Sequence, residues 1–545
     1  MAAKLPPGSV KLVGTSDNRI ILHPKPTDDY DDPLNWSSRR KVLHMGVVVV
    51  FVSVTFWFLG TPQVVTVQLR DDLGMDSDDI ALSFVFNFIG LGLAGVGLIP
   101  LAYRYGRRSM YLISALIQIG ASIWLGNVTT KYEYFVCMLI AGMGASVTQT
   151  LVPMTIADMF FVHQFATMNG WYLFAQGTGA FLGPAISGKV VKTAGWRWVW
   201  WTHGVVLSVA FIGILFLLEE STFVPNDRED KKNKADGEEL FFFNRPVSYG
   251  SNDGAANNHV DLVDINRTMA MRVPELPPLP KTLRQRFALV TKTKRPIGKR
   301  FLAPFVILVT FPAVAYVALT YGAVMAWLAM FQHVAVTVLG KAPYNFDSEG
   351  IGLFSLAPFI GHTIGVVVVP MLSDRWMLRL ARQNGGIYHP EMRLRIAVPG
   401  AIFTFIGILM FGLSTAKRAP WPALAISFAV FAFGFGICLD VALAYISDCY
   451  YNMIGDALVG VIFVRNLIAL GVTFGAIPWI DNMGMRNTFI LTAATAAVVL
   501  MLPGLLMVWG KKARAATAAK YEHYSLAAIP PAAVKRLMAA DTHFS

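Results

Sequence analysis

Two charged side chains stand inside long apolar stretches of this sequence: Asp440 within 421–446 and Arg465 within 457–480. An ionisable group in hydrocarbon is costly, so each is a candidate for function. If the first stretch ends near Ile446 and the second begins near Ala457, both groups lie about 10 Å from the same membrane edge. Opposite charges at equal depth on consecutive helices predict a buried ion pair. Such a pair either works, by exchanging a proton or meeting a cationic ligand as it opens, or is static and fixes packing. His203, His333 and His362 titrate near neutrality and suit a proton relay or a hydrogen-bonded structural role. Asp158 and Glu219 close two apolar stretches, where they suit interface anchoring or pairing with nearby arginines. Phe56, Trp57, Tyr316, Tyr321 and Trp327 can box an amphipathic or cationic molecule, or can face lipid. Gln149, Asn87 and Gln176 are amides of the kind that joins helices by hydrogen bonds.

Other chemistry finds no support. Gly90, Gly92 and Gly95 match a dinucleotide-loop spacing, yet they lie inside an apolar stretch with no preceding strand, so they read as packing glycines. No phosphate-binding loop appears, which argues against ATP, and no His-Glu-x-x-His zinc site or nucleophile–base pattern appears. Cys137, Cys438 and Cys449 have no metal-like spacing, and an odd number argues against a disulfide framework. We expect neither an enzyme nor a cofactor, and no metal.

The elements that position these residues follow from composition. The 545 residues are 55% hydrophobic and 15% charged, with a mean hydropathy of +0.51. Soluble proteins carry roughly a quarter charged residues, so a soluble multidomain enzyme, a disordered chain and a secreted disulfide scaffold are excluded. A helix needs ~20 apolar residues to span the hydrocarbon. Such runs fall near 42–61, 80–102, 109–126, 134–157, 168–191 and 198–218, then 301–332, 350–372, 396–415, 421–446, 457–480 and 487–510. The expected fold is an all-α integral membrane protein with twelve transmembrane helices in two six-helix halves. The implied divisions are an N-terminal segment 1–41, halves 42–220 and 301–510, a partly disordered central loop 221–300, and a tail 511–545 that forms a short surface helix.

Basic residues give orientation. Arg39, Arg40, Lys41, Arg104, Arg107, Arg108, Arg375, Arg379, Arg382, Arg393, Arg395, Lys511, Lys512, Arg514 and a cluster over 281–300 share one side. The positive-inside bias then puts both termini and the central loop in the cytoplasm. It also accounts for the net charge of +12 without nucleic acid. The cluster over 281–300 suits anionic lipid or simply sets topology. The Asn127 sequon falls in an outer loop. Two helical sets around a central linker, with basic turns at 104–108 and at Asp374-Arg375, are the pattern of repeat-built secondary transporters.

Several stretches resemble the major facilitator superfamily, and more narrowly its fungal twelve-span drug:proton antiporter group. Asp32-Pro33-Leu34-Asn35-Trp36 followed by Arg40-Lys41 is similar to that group's N-terminal signature. Arg104, Gly106, Arg107 and Arg108 match the superfamily's gating loop, with Tyr103 where most members have Asp; Asp374 and Arg375 keep the acidic–basic pair in the second half. Gly170, Gly179, Gly183, Pro184 and Gly188 resemble the antiporter signature of span 5, with Ser187 in place of one glycine. Close-packed glycines and a proline there allow close approach and bending. The stretches 156–163, 384–391 and 464–467 look like the branch of yeast polyamine and organic-cation permeases. An arginine common in span 4 is here Met138.

The resemblance implies that spans 1, 4, 7 and 10 line a cavity, which singles out Trp57, Gln149, Tyr316, Tyr321 and Trp327. It implies a proton-coupled secondary transporter of the fungal plasma membrane, acting as a monomer on a small organic compound. Export of a drug or secondary metabolite fits the antiporter signature. Uptake of polyamines or organic cations fits the permease-like stretches, and a nutrient sensor without transport fits the losses at Tyr103 and Met138.

Overall fold

The computed structural model describes residues 6–12, 24, 26, 29, 31–222, 286–291 and 301–528. The expected disorder of the central loop, most of the basic cluster over 281–300 and the end of the tail lie outside the described residues. Among the described residues the regular elements are helices, the exception being a two-residue pairing of β1 (Val10–Lys11) with β2 (Ile387–Tyr388).

In the N-terminal set, α1 is Ser38–Gly60, α2 the short Thr66–Leu73, α3 Ser77–Tyr105, α4 Arg107–Gly126 and α5 Lys131–Met159. Then come α6 (Phe165–Gly177), α7 (Gly183–Ala194) and α8 (Trp196–Leu217). In the C-terminal set, α9 is Ala303–Thr310, α10 Pro312–Leu339, α11 Ser348–Phe354, α12 Leu356–Thr363 and α13 Val369–Gln383. They are followed by α14 (Ala397–Ala416), α15 (Trp421–Cys449), α16 (Ile454–Ala516) and α17 (Ala518–Ala528). The run of α16 turns at Gly484, whose φ of +75° and ψ of 155° are not helical.

Local sequence sets these boundaries. Asp76 caps α3 by accepting from the Asp79 N–H, and Asp79 reaches back to the Asp76 N–H, a reciprocal capping box. A single residue, Gly106, separates α3 from α4 at φ +93°. A side chain would be strained at that φ, so only glycine turns the chain so abruptly there.

Eleven helical stretches among the described residues are long and apolar enough to cross a membrane. The expected span over 168–191 is not one of them. Residues 165–194 are helical throughout, but as α6, a π-helical turn at Thr178–Leu182, and α7. Five glycines with Asn169, Gln176, Thr178 and Ser187 make this run less apolar than its neighbours. Pro184 also lacks the N–H that would bond the carbonyl four residues back, which favours a local π turn.

The two sets meet along three seams. The first part of α16 packs on α3, α7 packs on α11, and α15 packs on α6. Gly90 and Gly142 bring α3 and α5 together, since a Cβ on either would stand 2.2–2.3 Å from the carbonyl oxygen of Leu139 or Asn87. Cys137, Cys438 and Cys449 are buried and unpaired.

Candidate functional site

A cavity of about 840 Å³ lies between the two sets. Helix α10 contributes Met325, Leu328, Ala329, Gln332, His333 and Val336, one stripe at helical spacing. Phe84, Asn87 and Phe88 come from α3, Gln149 from α5, Gln176 from α6, Phe181 from the π turn, and Phe435 from α15. Helix α16 adds Arg465, Ala469 and Thr473. The cavity reaches exposed Arg70, Lys341, Asp347 and Asp481 at the end of the bundle remote from the termini.

Its floor is polar. Arg465 lies eleven residues into α16 and Gln149 ten residues from the end of α5, each about 15 Å along its helix from the termini end. That is half of the ~30 Å hydrocarbon thickness. The Arg465 Nη2 donates to Gln149 Oε1 at 2.8 Å, and its Nε and Nη2 donate to Asn466 Oδ1 at 3.3 and 3.2 Å. The guanidinium lies over the Tyr321 ring, 5.4 Å from its centroid.

At the termini end the bundle is closed. Asp374 of α13 accepts from the Thr167 N–H and hydroxyl of α6 at 3.0 and 2.7 Å, joining the two sets. Arg393 donates to Asp374 at 3.2 Å and to Asp448 at 2.9 Å, and the Tyr388 hydroxyl also donates to Asp448. The side chains of Arg393 and Asp448 are both 0% exposed. The Tyr451 hydroxyl donates to the Ala157 carbonyl at 2.7 Å across the seam. Arg107 pairs with Asp158, Arg40 with Glu219, and Arg514 with Glu391. The N–H groups of Arg107 and Arg108 donate to the two Glu220 carboxylate oxygens at 3.0 and 3.1 Å. A Cβ on Gly106 would stand 2.4 Å from that same carboxylate. Arg104 lies over the Tyr105 ring. The Tyr103 hydroxyl reaches Gly455 in the first turn of α16.

The remote end is held by exposed pairs between α7 and the start of α11. Lys192 meets Glu349 at 2.6 Å and Asp347 at 3.1 Å, and Lys189 meets Glu349 at 3.1 Å. The Gly350 N–H, then the Lys192 ammonium, hold the Asp347 carboxyl below its usual range. Its stabilisation is therefore present above that range and is lost as pH falls through the lowered value. Exposed pairs are weak and screened by salt. High salt is expected to speed solvent exchange at the remote end more than at the termini end, which hydrogen–deuterium exchange of 345–352 against 388–396 would read.

Several expected site residues are placed elsewhere. Asp440 and Arg465 do not form an ion pair. Asp440 is 2% exposed, its Oδ1 has no partner among the described residues, and the charges acting on it are Arg393, Asp374 and Asp448. Equal depth did not imply contact: α15 and α16 are consecutive but barely touch each other, α15 packing chiefly on α14 and α12 and α16 chiefly on α10. Trp57 does not line the cavity; its indole N–H donates to Ser187 Oγ at 2.8 Å and its ring packs on His203. Ser187 thus gives the antiporter-like segment a hydrogen bond that glycine could not. Tyr316 and Trp327 are buried but do not line the cavity. They stand eleven residues apart, on one face of α10, roughly opposite the lining stripe. Tyr321 continues that stripe inward and supports the floor through Arg465 rather than facing the cavity. The acidic–basic partner of Asp374 is Arg393, not the exposed Arg375. Sequence reasoning counted Arg393 only as a topology marker and passed over Asp448; a Pro390-to-Arg395 turn dense in charge was the available signal.

The glycine segment works as a close-packed ridge. A Cβ on Gly179 or Gly183 would stand 2.2–2.4 Å from atoms of α1, and one on Gly170 or Gly188 2.3–2.4 Å from the Val366 or Ser348 carbonyl oxygen. Pro184 packs on Gly60 and Gly352. Gly170→Val is expected to destabilise the protein by about 1–3 kcal/mol or more through overpacking. Gly97→Ala, where nothing lies within 4 Å, is expected to be silent; monodisperse yield and thermal unfolding in detergent would compare them.

Long apolar helices around a polar-floored cavity that reaches the surface at one end define a multi-pass membrane transporter. The Major Facilitator Superfamily profile matches residues 46–470, and the chain belongs to that superfamily. It is 27% identical to an uncharacterized MFS-type transporter of Schizosaccharomyces pombe, over 93% of this chain and 90% of that one. It is 26% identical to Protein HOL1 of Saccharomyces cerevisiae over 92% of each chain. It is 24% identical to the efflux pump vrtL of Penicillium aethiopicum, over 92% and 91%. Among solved structures, the proton:xylose symporter XylE bound to 6-bromo-6-deoxy-D-glucose shares the fold with a TM-score of 0.59 at 13% identity, covering 87% of this chain and 96% of XylE.

Proposed function

We propose that the protein is a proton-coupled secondary transporter that exports a small amphipathic organic compound across the plasma membrane. The observation that carries this reading is a cavity floored near mid-depth, open at the remote end and closed at the termini end by hydrogen bonds between the sets, Thr167 to Asp374 and Tyr451 to the Ala157 carbonyl. In this reading residues 165–194 form a twelfth span, the fifth in chain order, and the termini end is cytoplasmic. The state described is then the outward-open half of an alternating-access cycle, in which 42–220 and 301–510 rock about the α6–α7 and α11–α13 seam. The segment 221–300 links the two bodies, and the compound enters the cavity when the termini end opens. Support for export comes from relatives named as efflux pumps. Support for proton coupling comes from Asp440, an acid buried beside the closed gate, and from the proton symport named for the XylE structure.

The test uses full-length protein in proteoliposomes with an imposed pH gradient and labelled amphipathic compounds. Accumulation on the acidified side is expected, because protons moving down their gradient then drive the compound against its own. Accumulation on the opposite side would reverse the proposed direction. A compound that binds, yet shows neither accumulation nor counterflow, would replace transport by sensing.

A further inference from the structure

The cavity floor presents a charge that the protein does not neutralise. Arg465 is 5% exposed and has no carboxylate within ion-pairing distance among the described residues. Its Nη1 has no hydrogen-bond partner. Arginine can only donate, so the amide facing it must present oxygen, and Gln149 does so at 2.8 Å. That contact fixes the orientation of the amide and leaves Gln149 Nε2 buried and unpartnered. Gln149 is 3% exposed. The Gln176 Nε2, on a lining side chain 4% exposed, makes no close hydrogen bond among the described residues, the Tyr172 and Tyr321 hydroxyls being its polar neighbours.

These three atoms at the floor are donors, whereas the other unmatched atoms of the described lining, Gln68 Oε1 and His362 Nδ1, can accept. Buried donors without acceptors are unfavourable, and an oxyanion placed among them would satisfy all three at once. The acids of the described lining, Asp347 and Asp481, stand at the exposed mouth. The walls above the floor carry Phe84, Phe88, Phe181 and Phe435, with Asn87, Gln332 and His333 among them.

We propose that the cavity takes an amphipathic organic anion, its acid group held by Arg465 with Gln149 and Gln176, and its apolar body lying along the phenylalanine walls. An organic cation would meet Arg465 with no countercharge at the floor. This rests on the cavity being the transport site.

Three probes with one apolar body separate the classes: 2-naphthoate, 2-naphthalenemethanol and 2-naphthylmethylammonium. Binding is measured by thermal shift and tryptophan fluorescence on the full-length protein in nanodiscs. The carboxylate is expected to bind about 10- to 100-fold more tightly than the other two, the range of one or two charge-assisted hydrogen bonds. Arg465→Gln is expected to remove that preference. Gln149→Glu places a carboxylate against Arg465 and is expected to shift the preference to the ammonium probe, which keeps the test decisive if Arg465→Gln fails to fold. Equal or tighter binding of the ammonium probe by the unaltered protein overturns the proposal, as does binding of none of the three. Counterflow of the bound probe separates this from the transport reading. An acid that binds selectively but never exchanges leaves the anion site standing without transport, whereas exchange with no preference for the acid leaves transport standing without the anion site.

Discussion

Asp440→Asn is expected to abolish accumulation driven by a pH gradient while leaving counterflow of substrate intact. The side chain is 2% exposed on α15, nine residues from its end. A carboxylate ionised in such a place without its hydrogen bonds is costly, so gain or loss of its proton must be matched by a change in its surroundings. The charges that act on it are Arg393, Asp374 and Asp448, and of these Asp374 accepts the Thr167 bonds that join the two sets at the termini end. On the proposed reading, protonation of Asp440 would act on the closure through Asp374. Asparagine keeps the shape and removes the exchangeable proton, which separates coupling from binding. Full proton-driven accumulation by Asp440→Asn would exclude Asp440 as the carrier. Because Asp440 and Arg465 are not in contact, Asp440→Asn and Arg465→Gln are expected to act additively, within about 0.5 kcal/mol in apparent binding free energy. A large coupling between them would restore the ion pair that their equal depth suggested.

The difference between that expectation and the fold shows which part of the site the sequence contains. Depth along a helix follows from counting residues at a fixed rise, and Asp440, nine residues from the end of α15, and Arg465, eleven residues into α16, do lie at nearly one level. Azimuth is less accessible, because continuously apolar spans carry little amphipathic signal. Helix α10 illustrates this. Tyr316 and Trp327 attract attention by type, but their spacing from Met325, Leu328 and Gln332 puts them on the opposite face. Knowing one cavity-facing residue would have oriented the whole helix. Neighbourhood is least accessible of all. Nothing in the order of α15 and α16 says that each packs on other helices, or that Arg393, beyond the two-residue β2, reaches Asp374 and Asp448. By contrast, the turn at Gly106 and the ridge of Gly170, Gly179, Gly183 and Gly188 were legible, because both demand the absence of a side chain, and the sequence records that directly.

Gly170 of that ridge and the Thr167–Asp374 contact lie on the same seam, both on α6. Near the gate, α6 presents Thr167 to Asp374 and Gly170 to the Val366 carbonyl oxygen. Both partners carry a π turn followed by a proline: Thr178–Leu182 before Pro184 lies beyond these contacts, whereas Ile364–Val368 before Pro370 contains Val366 itself. A π turn leaves the regular i to i−4 ladder, and proline removes a donor from it, so each helix has one segment where bending disturbs few hydrogen bonds.

Arg393→Ala is expected to be the most damaging substitution at the gate. Arg393 is 0% exposed and bridges two acids on different helices, with Asp448 also 0% exposed and Asp374 at 11%. Removing one partner of a buried pair leaves the other charge uncompensated, at a cost of about 3–5 kcal/mol. Here two acids lose their partner together, and the Tyr388 hydroxyl can serve only Asp448. Arg393→Lys is expected to recover less than half of the loss, since one ammonium cannot reproduce the guanidinium's two-sided reach. Thr167→Ala makes the informative contrast. It removes only the hydroxyl donor to Asp374 at the seam, leaves Arg393 in place, and is worth about 1–2 kcal/mol. The first variant is expected to lower thermal stability sharply, and the second to shift population toward opening at the termini end with stability nearly unchanged. Thermal unfolding in nanodiscs reads the first effect. Alkylation from the termini side of a cysteine placed at Asn466 reads the second, in a background where Cys137, Cys438 and Cys449 are replaced. If Thr167→Ala leaves that alkylation rate unchanged, Asp374 serves the fold of its own helix set and not the closure between the two.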